Sequence, residues 1–303
     1  MHRLADAIGG TPLFELRSLQ TPGRARLFAK AEFMNPGGSV KDRICRSMIE
    51  DAQTRGKLRP DSVIIESTSG NTGIGLAMLA AERGLECILT MPATMSPERI
   101  KLLRGYGARV ELSSAEGGMA EAILLAERLA THYAERAWMP GQFENAANPQ
   151  AHRLTTGPEI VAQLPGELRL AAFVAGVGTG GTISGAGAAL KLHDPRTQII
   201  AIEPAVSAVI TGGKPGPHGI QGIGAGFIPE TLNLKVLDEV LTVTEVEALE
   251  AKAELGRRAG LLVGISAGAN VAMARKVAQR YDESMAVVTI LCDTGERYLS
   301  LDA

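Results

Sequence analysis

The sequence predicts an α/β protein built on mostly parallel sheets, and two observations predict it. Short apolar runs rich in Val, Ile and Leu alternate with amphipathic stretches almost from end to end, as a parallel sheet with crossover helices requires. Three glycine-rich turns also share one strand-to-helix layout, each leading into a helix: Ser67 to Gly73, Gly176 to Thr182, and Gly264 to Gly268. The apolar runs place strands near 27–31, 63–66, 87–91, 110–112, 172–175, 199–203 and 287–291. Helical periodicity and end signals place helices near 41–55, 72–83, 97–106, 118–133, 180–192, 246–258 and 267–281. A cluster of Pro, Gly, Asn and Gln at 139–149 is the best internal boundary, and the glycine- and proline-rich stretch 212–229 reads as a loop over a site.

At 303 residues the chain has room for two domains or one large one. Its 31 basic and 33 acidic residues nearly balance and form no dense basic run, which argues against a nucleic-acid partner. No run of 18 or more apolar residues suggests a membrane span, and the first residues lack the apolar core of a signal peptide, so a cytoplasmic protein is expected. Cys45, Cys87 and Cys292 lie in apolar patterns without ligand-like spacing. They read as buried thiols in a reducing compartment, with no metal site.

Lys41 is the first candidate for chemistry. It follows Asn35-Pro36-Gly37-Gly38-Ser39-Val40, a turn after which Ser39 can cap a helix running through Ile44 and Met48. Burial and the positive end of a helix both disfavour an ammonium there, which suits an imine-forming amine or a base.

The three turns are candidate anion sites, because helix N-termini present unpaired amides and a positive partial charge. Gly176, Gly178 and Gly181 also satisfy the dinucleotide pattern, with Glu203 about 20 residues on, so a NAD-dependent dehydrogenase is a competing reading. Thr179 and Thr182 instead suit a terminal phosphate monoester. Gly264-Ile265-Ser266-Ala267-Gly268 matches a hydrolase nucleophile elbow, but no histidine follows Ser266 to complete a triad.

Taken together, the Lys41 segment, Ser69-Gly70-Asn71-Thr72-Gly73, Gly178-Thr179-Gly180-Gly181-Thr182 and the Ser266 turn closely resemble the cysteine synthases of the pyridoxal-phosphate fold type II family. The resemblance runs from Ile8-Gly9-Gly10-Thr11-Pro12-Leu13, through Thr156-Gly157-Pro158-Glu159-Ile160, to Gly295-Glu296-Arg297-Tyr298. It implies two three-layer α/β domains: a smaller, mobile, substrate-binding domain at 40–145, and a larger domain from 1–39 and 146–303 that binds the cofactor phosphate. It implies that Lys41 carries pyridoxal 5'-phosphate as an imine and later moves the substrate α-proton. Asn71 would bond the cofactor's phenolic oxygen, Gly178, Thr179, Gly180, Gly181 and Thr182 its phosphate, and Ser266 its pyridine nitrogen. A hydroxyl facing that nitrogen weakens the cofactor as an electron sink and favours β-replacement. Thr68, Ser69, Gly70, Thr72 and Gln142 would bind the substrate carboxylate, with Gln221 and Gly222 completing the substrate site.

The implied reaction makes L-cysteine from O-acetyl-L-serine and sulfide through an aminoacrylate, protected from water by domain closure. Related alternatives are phosphoserine- or thiosulfate-using enzymes and cystathionine β-synthase. Gln221 is neutral, whereas phosphoserine users often carry an arginine in this loop. The implied partners are a second copy of the chain and the C-terminal tail of serine acetyltransferase. In Gln142-Phe143-Glu144-Asn145-Ala146-Ala147-Asn148, relatives often have proline at the place of Ala146, so Gln142 is expected to be less firmly held. The five histidines match no catalytic position and are expected at the surface or as caps.

Overall fold

The computed structural model describes residues 3–68 and 70–301, the last two as backbone alone. In chain order the first elements are β1 (Leu13–Glu15), β2 (Arg26–Ala31), α1 (Lys41–Thr54), β3 (Val63–Ser67), α2 (Asn71–Arg83) and β4 (Glu86–Pro92). Next come α3 (Pro97–Gly105), β5 (Arg109–Ser113), α4 (Gly118–Tyr133), β6 (Ala137–Trp138), α5 (Ala147–Ala151) and α6 (Gly157–Gln163). The rest are β7 (Arg169–Gly176), α7 (Gly181–His193), β8 (Gln198–Pro204), β9 (Glu239–Val243), α8 (Glu245–Ala259), α9 (Ile265–Ala278) and β10 (Met285–Leu291).

The chain divides into two units, one of Met1–Ile8 with Lys41–Ala147, the other of Gly9–Val40 with Asn148–Ala303. The expected boundaries kept the whole N-terminal segment in the larger domain, and the difference has a local cause. The Ala5 N–H donates to Glu82 on α2 at 2.9 Å, and Arg46 on α1 donates to the Ala5 carbonyl at 2.9 Å. With Ala5 fully buried, these bonds tie the first turn to the first unit.

The first unit holds a four-stranded sheet in the order β5-β4-β3-β6, parallel throughout. Val63, Ile65 and Ile88 pack against Ala126, Leu129 and Tyr133 of α4. Side chains alternate along a strand, so Glu66 lies on the opposite face of β3 from Ile65. Helices α1 and α2 approach closely through Gly75, where a Cβ would stand 2.8 Å from Cys45 Sγ. The Cys45 thiol donates to the Thr72 carbonyl at 3.4 Å, which seats the starts of the two helices side by side.

The second unit holds six strands in the order β1-β2-β10-β7-β8-β9, parallel except for β1 against β2. One face packs Leu27, Val174, Ile200, Ile202 and Val287 against α8 and α9. The other packs Phe28, Phe173, Ile199, Val288 and Ile290 beneath α6 and α7. This is three-layer packing with near-continuous apolar strands, as a sheet covered on both sides requires. Each such fully buried side chain contributes about 1.5–3 kcal/mol of transfer free energy.

Several expectations are corrected. Residues 147–163, where the sequence pattern places no helix, form one helical run whose middle, His152–Thr156, is π-helical. Pro158 cannot donate to the helix ladder, and the run lies almost backbone to backbone on α7. A Cβ on Gly185 would stand 1.9 Å from the Pro149 carbonyl, and one on Gly157 2.6 Å from Ala189 Cβ. Ahead of α1, Ser39 forms a backbone bridge with Asp293, and Val40 donates to the Cys292 carbonyl at 2.8 Å. The Gly264 turn does not follow a sheet strand: α8 ends at Gly260 in a left-handed cap, and residues 261–264 belong to neither sheet, held instead by the Val263–Thr294 bridge and by backbone bonds from Gly264 to the Asp293 carbonyl and from Gly295 to the Leu262 carbonyl. Cys45 and Cys87 are buried, while Cys292 is half-buried.

Candidate active site

In the first unit the expected substrate residues meet at the end of β3. Thr68 and Gly70 form the turn into α2, with the Gly70 N–H donating to Thr68 Oγ1 at 3.3 Å. A Cβ on Gly73 would press on the Thr68 methyl at 3.1 Å, so glycine there allows the turn to fold down on its helix. Asn71 is the first residue of α2 and Lys41 the first of α1; both are half-buried. Ser69 lies outside the described residues.

Gln142 arrives from far along the chain. The Thr72 hydroxyl donates to Gln142 Oε1 at 2.6 Å, and both residues are buried. Behind them Glu66, 5% exposed, accepts from the Gly141 N–H at 3.3 Å and from the backbone N–H and side-chain amide of Gln142. Gln142 is therefore firmly held despite Ala146, because its two amide ends are engaged by Thr72 and Glu66. Burial pushes the Glu66 carboxyl up to about 7, against the lowering effect of these three donors. The Cys45 thiol is pushed up by burial, then by the nearby Asp42 and Glu66 charges, and Cys87 is raised to about 12, chiefly by burial. Neither is a nucleophile at neutral pH.

In the second unit two of the glycine-rich turns converge. The Gly176 N–H donates to Asn270 Oδ1 at 2.8 Å, and Gly224 donates to the Val177 carbonyl at 2.8 Å. A Cβ on Gly178 would stand 2.3 Å from the Gly222 carbonyl oxygen, and one on Gly222 3.6 Å from Ser266 Oγ. The turn from Gly176 to Thr182, the loop with Gln221 and Gly222, and Ser266 at the start of α9 thus form one constellation. The stretch 212–229 carries no helix or strand, and its Ile220 and Ile223 are buried in the core, which anchors the loop.

The turn itself tests whether a phosphate fits. Gly180, at φ +80°, caps α7 and offers no side chain to its first turn, so the amides keep their positive end for an anion. Gly181 donates to Thr179 Oγ1 at 3.3 Å, and Asn148 donates to the same hydroxyl at 2.9 Å. No Cβ fits at Gly180 or Gly181, where Leu232 and Asn148 already crowd. This donor set fits a phosphate monoester.

Sequence reading missed His152. It is 1% exposed, bonds Thr156 Oγ1 through Nδ1 at 2.9 Å and Thr182 Oγ1 through Nε2 at 3.2 Å, and so braces the phosphate turn from behind. Its place in a π-turn is a setting common at functional sites. The dinucleotide reading loses its acidic residue: Glu203 is buried, accepting from the Ile210 and Thr211 amides and the Thr211 hydroxyl. A ribose has no access to it.

The family model for pyridoxal-phosphate dependent enzymes matches residues 4–293, and the chain belongs to that family. Among its relatives is a cysteine synthase of Staphylococcus aureus, 47% identical over 297 residues, covering 98% of this chain and 95% of the relative. Among solved structures, an O-acetylserine sulfhydrylase isoform 3 from Entamoeba histolytica superposes with TM-score 0.95 at 39% identity, covering 100% of this chain and 91% of that one. An O-ureido-L-serine synthase gives TM-score 0.94 at 41% identity, covering 99% and 94%.

Proposed function

We propose that this chain is a cysteine synthase that replaces the acetate of O-acetyl-L-serine with sulfide. The observation that carries the reading is the 47% identity to a curated cysteine synthase over nearly the whole of both chains.

When bound, pyridoxal phosphate withdraws electrons from the α-carbon of an amino acid attached to it, so that the α-proton and the β-substituent can leave. The chain's own residues do the rest. Lys41 would hold the cofactor through Nζ and, once displaced by substrate, take the α-proton. Asn71 would orient the cofactor through its phenolic oxygen. The α7 turn from Gly178 to Thr182 would hold the phosphate. Because a phosphate only accepts, this role favours His152 protonated on Nε2, which donates to Thr182 Oγ1 and leaves the threonine hydroxyl free to donate onward. Ser266 would offer the pyridine nitrogen a neutral hydroxyl. Thr68, Gly70, Thr72 and Gln142 would take the substrate carboxylate, with Ser69 in the same turn, and Gln221 and Gly222 would border the leaving group. Closing the Lys41–Ala147 unit over substrate would exclude water from the reacting carbon.

The test is turnover by the purified holoenzyme with a panel of β-substituted serines and nucleophiles. Equimolar cysteine and acetate from O-acetylserine and sulfide is the expected result. A second reading keeps the electrophile and changes the nucleophile; the likeness to an O-ureido-L-serine synthase favours it. Preference for hydroxyurea over sulfide in the same panel would establish it instead. A cytoplasmic homodimer follows the same reading. So does a serine acetyltransferase tail, whose free carboxylate suits the Thr68–Thr72 turn. A synthetic ten-residue tail should perturb cofactor fluorescence as the free acid and not as the amide.

A further inference from the structure

We propose that Glu66 is a positioning residue for the substrate carboxylate, its proton selecting which end of the Gln142 amide faces Thr72. The inference rests on the reading above that Thr72 and Gln142 take that carboxylate.

An ionised carboxylate only accepts hydrogen bonds. Beneath Gln142, Glu66 therefore draws the Nε2 end of the amide toward itself, and Oε1 is left facing the Thr72 hydroxyl at 2.6 Å. In this arrangement Thr72 spends its proton on Gln142, and the amide presents an oxygen. A substrate carboxylate, also an acceptor only, finds the wrong polarity on both residues.

A protonated Glu66 reverses this. Its O–H can donate to Gln142 Oε1, while its carbonyl oxygen keeps the Gly141 and Gln142 backbone donors. The turned amide then aims Nε2 away from Glu66, and the Thr72 hydroxyl is released to donate. Both residues now present hydrogens to an incoming carboxylate, so binding is coupled to uptake of one proton by Glu66.

The ionisable surroundings permit the coupling. Glu144, on the loop that carries Gln142, opposes ionisation of Glu66. The thiols of Cys45 on α1 and Cys87 on β4 also face it and are held neutral by burial, while Lys41 and Asp42 at the start of α1 act on Cys45. With burial dominating, the carboxyl titrates at about 7, within the range where an enzyme assay can follow it.

Propionate serves as a probe, because it has no amine to titrate. For the holoenzyme, its Kd should rise about tenfold for each pH unit above the Glu66 transition, as coupling to one proton requires. Calorimetry at pH 8 in buffers of different ionisation heat should give close to one proton taken up per propionate bound. Glu66→Gln and, separately, Gln142→Met should abolish both the slope and the uptake. Wild-type binding without proton uptake overturns the proposal whether or not either variant folds, and so does uptake that persists in Glu66→Gln. Cysteine formation with pH-independent propionate binding removes this inference and leaves the proposed function standing. Proton-linked binding without cysteine formation does the reverse.

Discussion

Gly178→Ala puts a methyl group where the structure has no room for one. The new Cβ would lie 2.3 Å from the Gly222 carbonyl oxygen and 3.9 Å from the Ile223 Cα. An ordinary carbon–oxygen contact needs about 1 Å more, and the obstructing atom is backbone, so no rotamer change relieves it. The loop carrying Gln221 and Gly222 must move, or the phosphate turn must. Overpacking of this kind costs on the order of 1–3 kcal/mol, and the displaced groups are the ones proposed to hold the phosphate and border the substrate. If it falls on the bound state, even the lower end is about a fivefold loss of cofactor affinity, at about 1.4 kcal/mol per tenfold. Titrating the apoprotein with pyridoxal phosphate by visible absorbance should therefore give a Kd raised by about fivefold or more, with circular dichroism unchanged. A Kd within twofold of wild type would refute the contact argument and the assignment of this turn.

Three further outcomes are expected. His152→Phe removes the brace behind Thr182 and should weaken cofactor binding, while His152→Gln, which can still bond Thr182, should restore part of it; equal affinity in both variants would remove the role. Gln221→Arg should shift kcat/KM toward O-phosphoserine, since only that substrate gains a charged partner; an unchanged ratio would place Gln221 away from the leaving group. A carboxyl raised from 4.5 to about 7 contributes stability that is full below pH 4.5 and lost as pH rises to about 7. The loss is on the order of 3 kcal/mol at about 1.4 kcal/mol per pH unit, so urea titrations of Glu66→Gln should lack this decline.

The central strands were legible because β3, β4, β7, β8 and β10 are buried on both faces and read as short, largely apolar runs. Strands β1, β6 and β9 were not: β1 and β9 are half-exposed edges and β6 spans two residues, so none has an apolar pattern long enough to register. Proline at 149 and 158 and glycine at 157 hid the helical run 147–163, which close packing on α7 stabilises against its own propensity. The turn from Gly178 to Thr182, proposed to hold the cofactor phosphate, was visible because its glycines, hydroxyls and following helix are contiguous. What holds the substrate side was not, since Glu66 and Gln142 are far apart in sequence and only the fold of the first unit joins them. His152 stayed hidden for the same reason, its partner Thr182 lying on another helix.

Lys41 as the residue that carries the cofactor is the central assignment. Reducing the holoenzyme with borohydride fixes pyridoxal phosphate to its lysine, and peptide mass spectrometry then locates it. The expected result is one modified peptide containing Lys41, with none recovered from Lys41→Ala. Modification of another lysine in the wild type, or of none, would contradict the account.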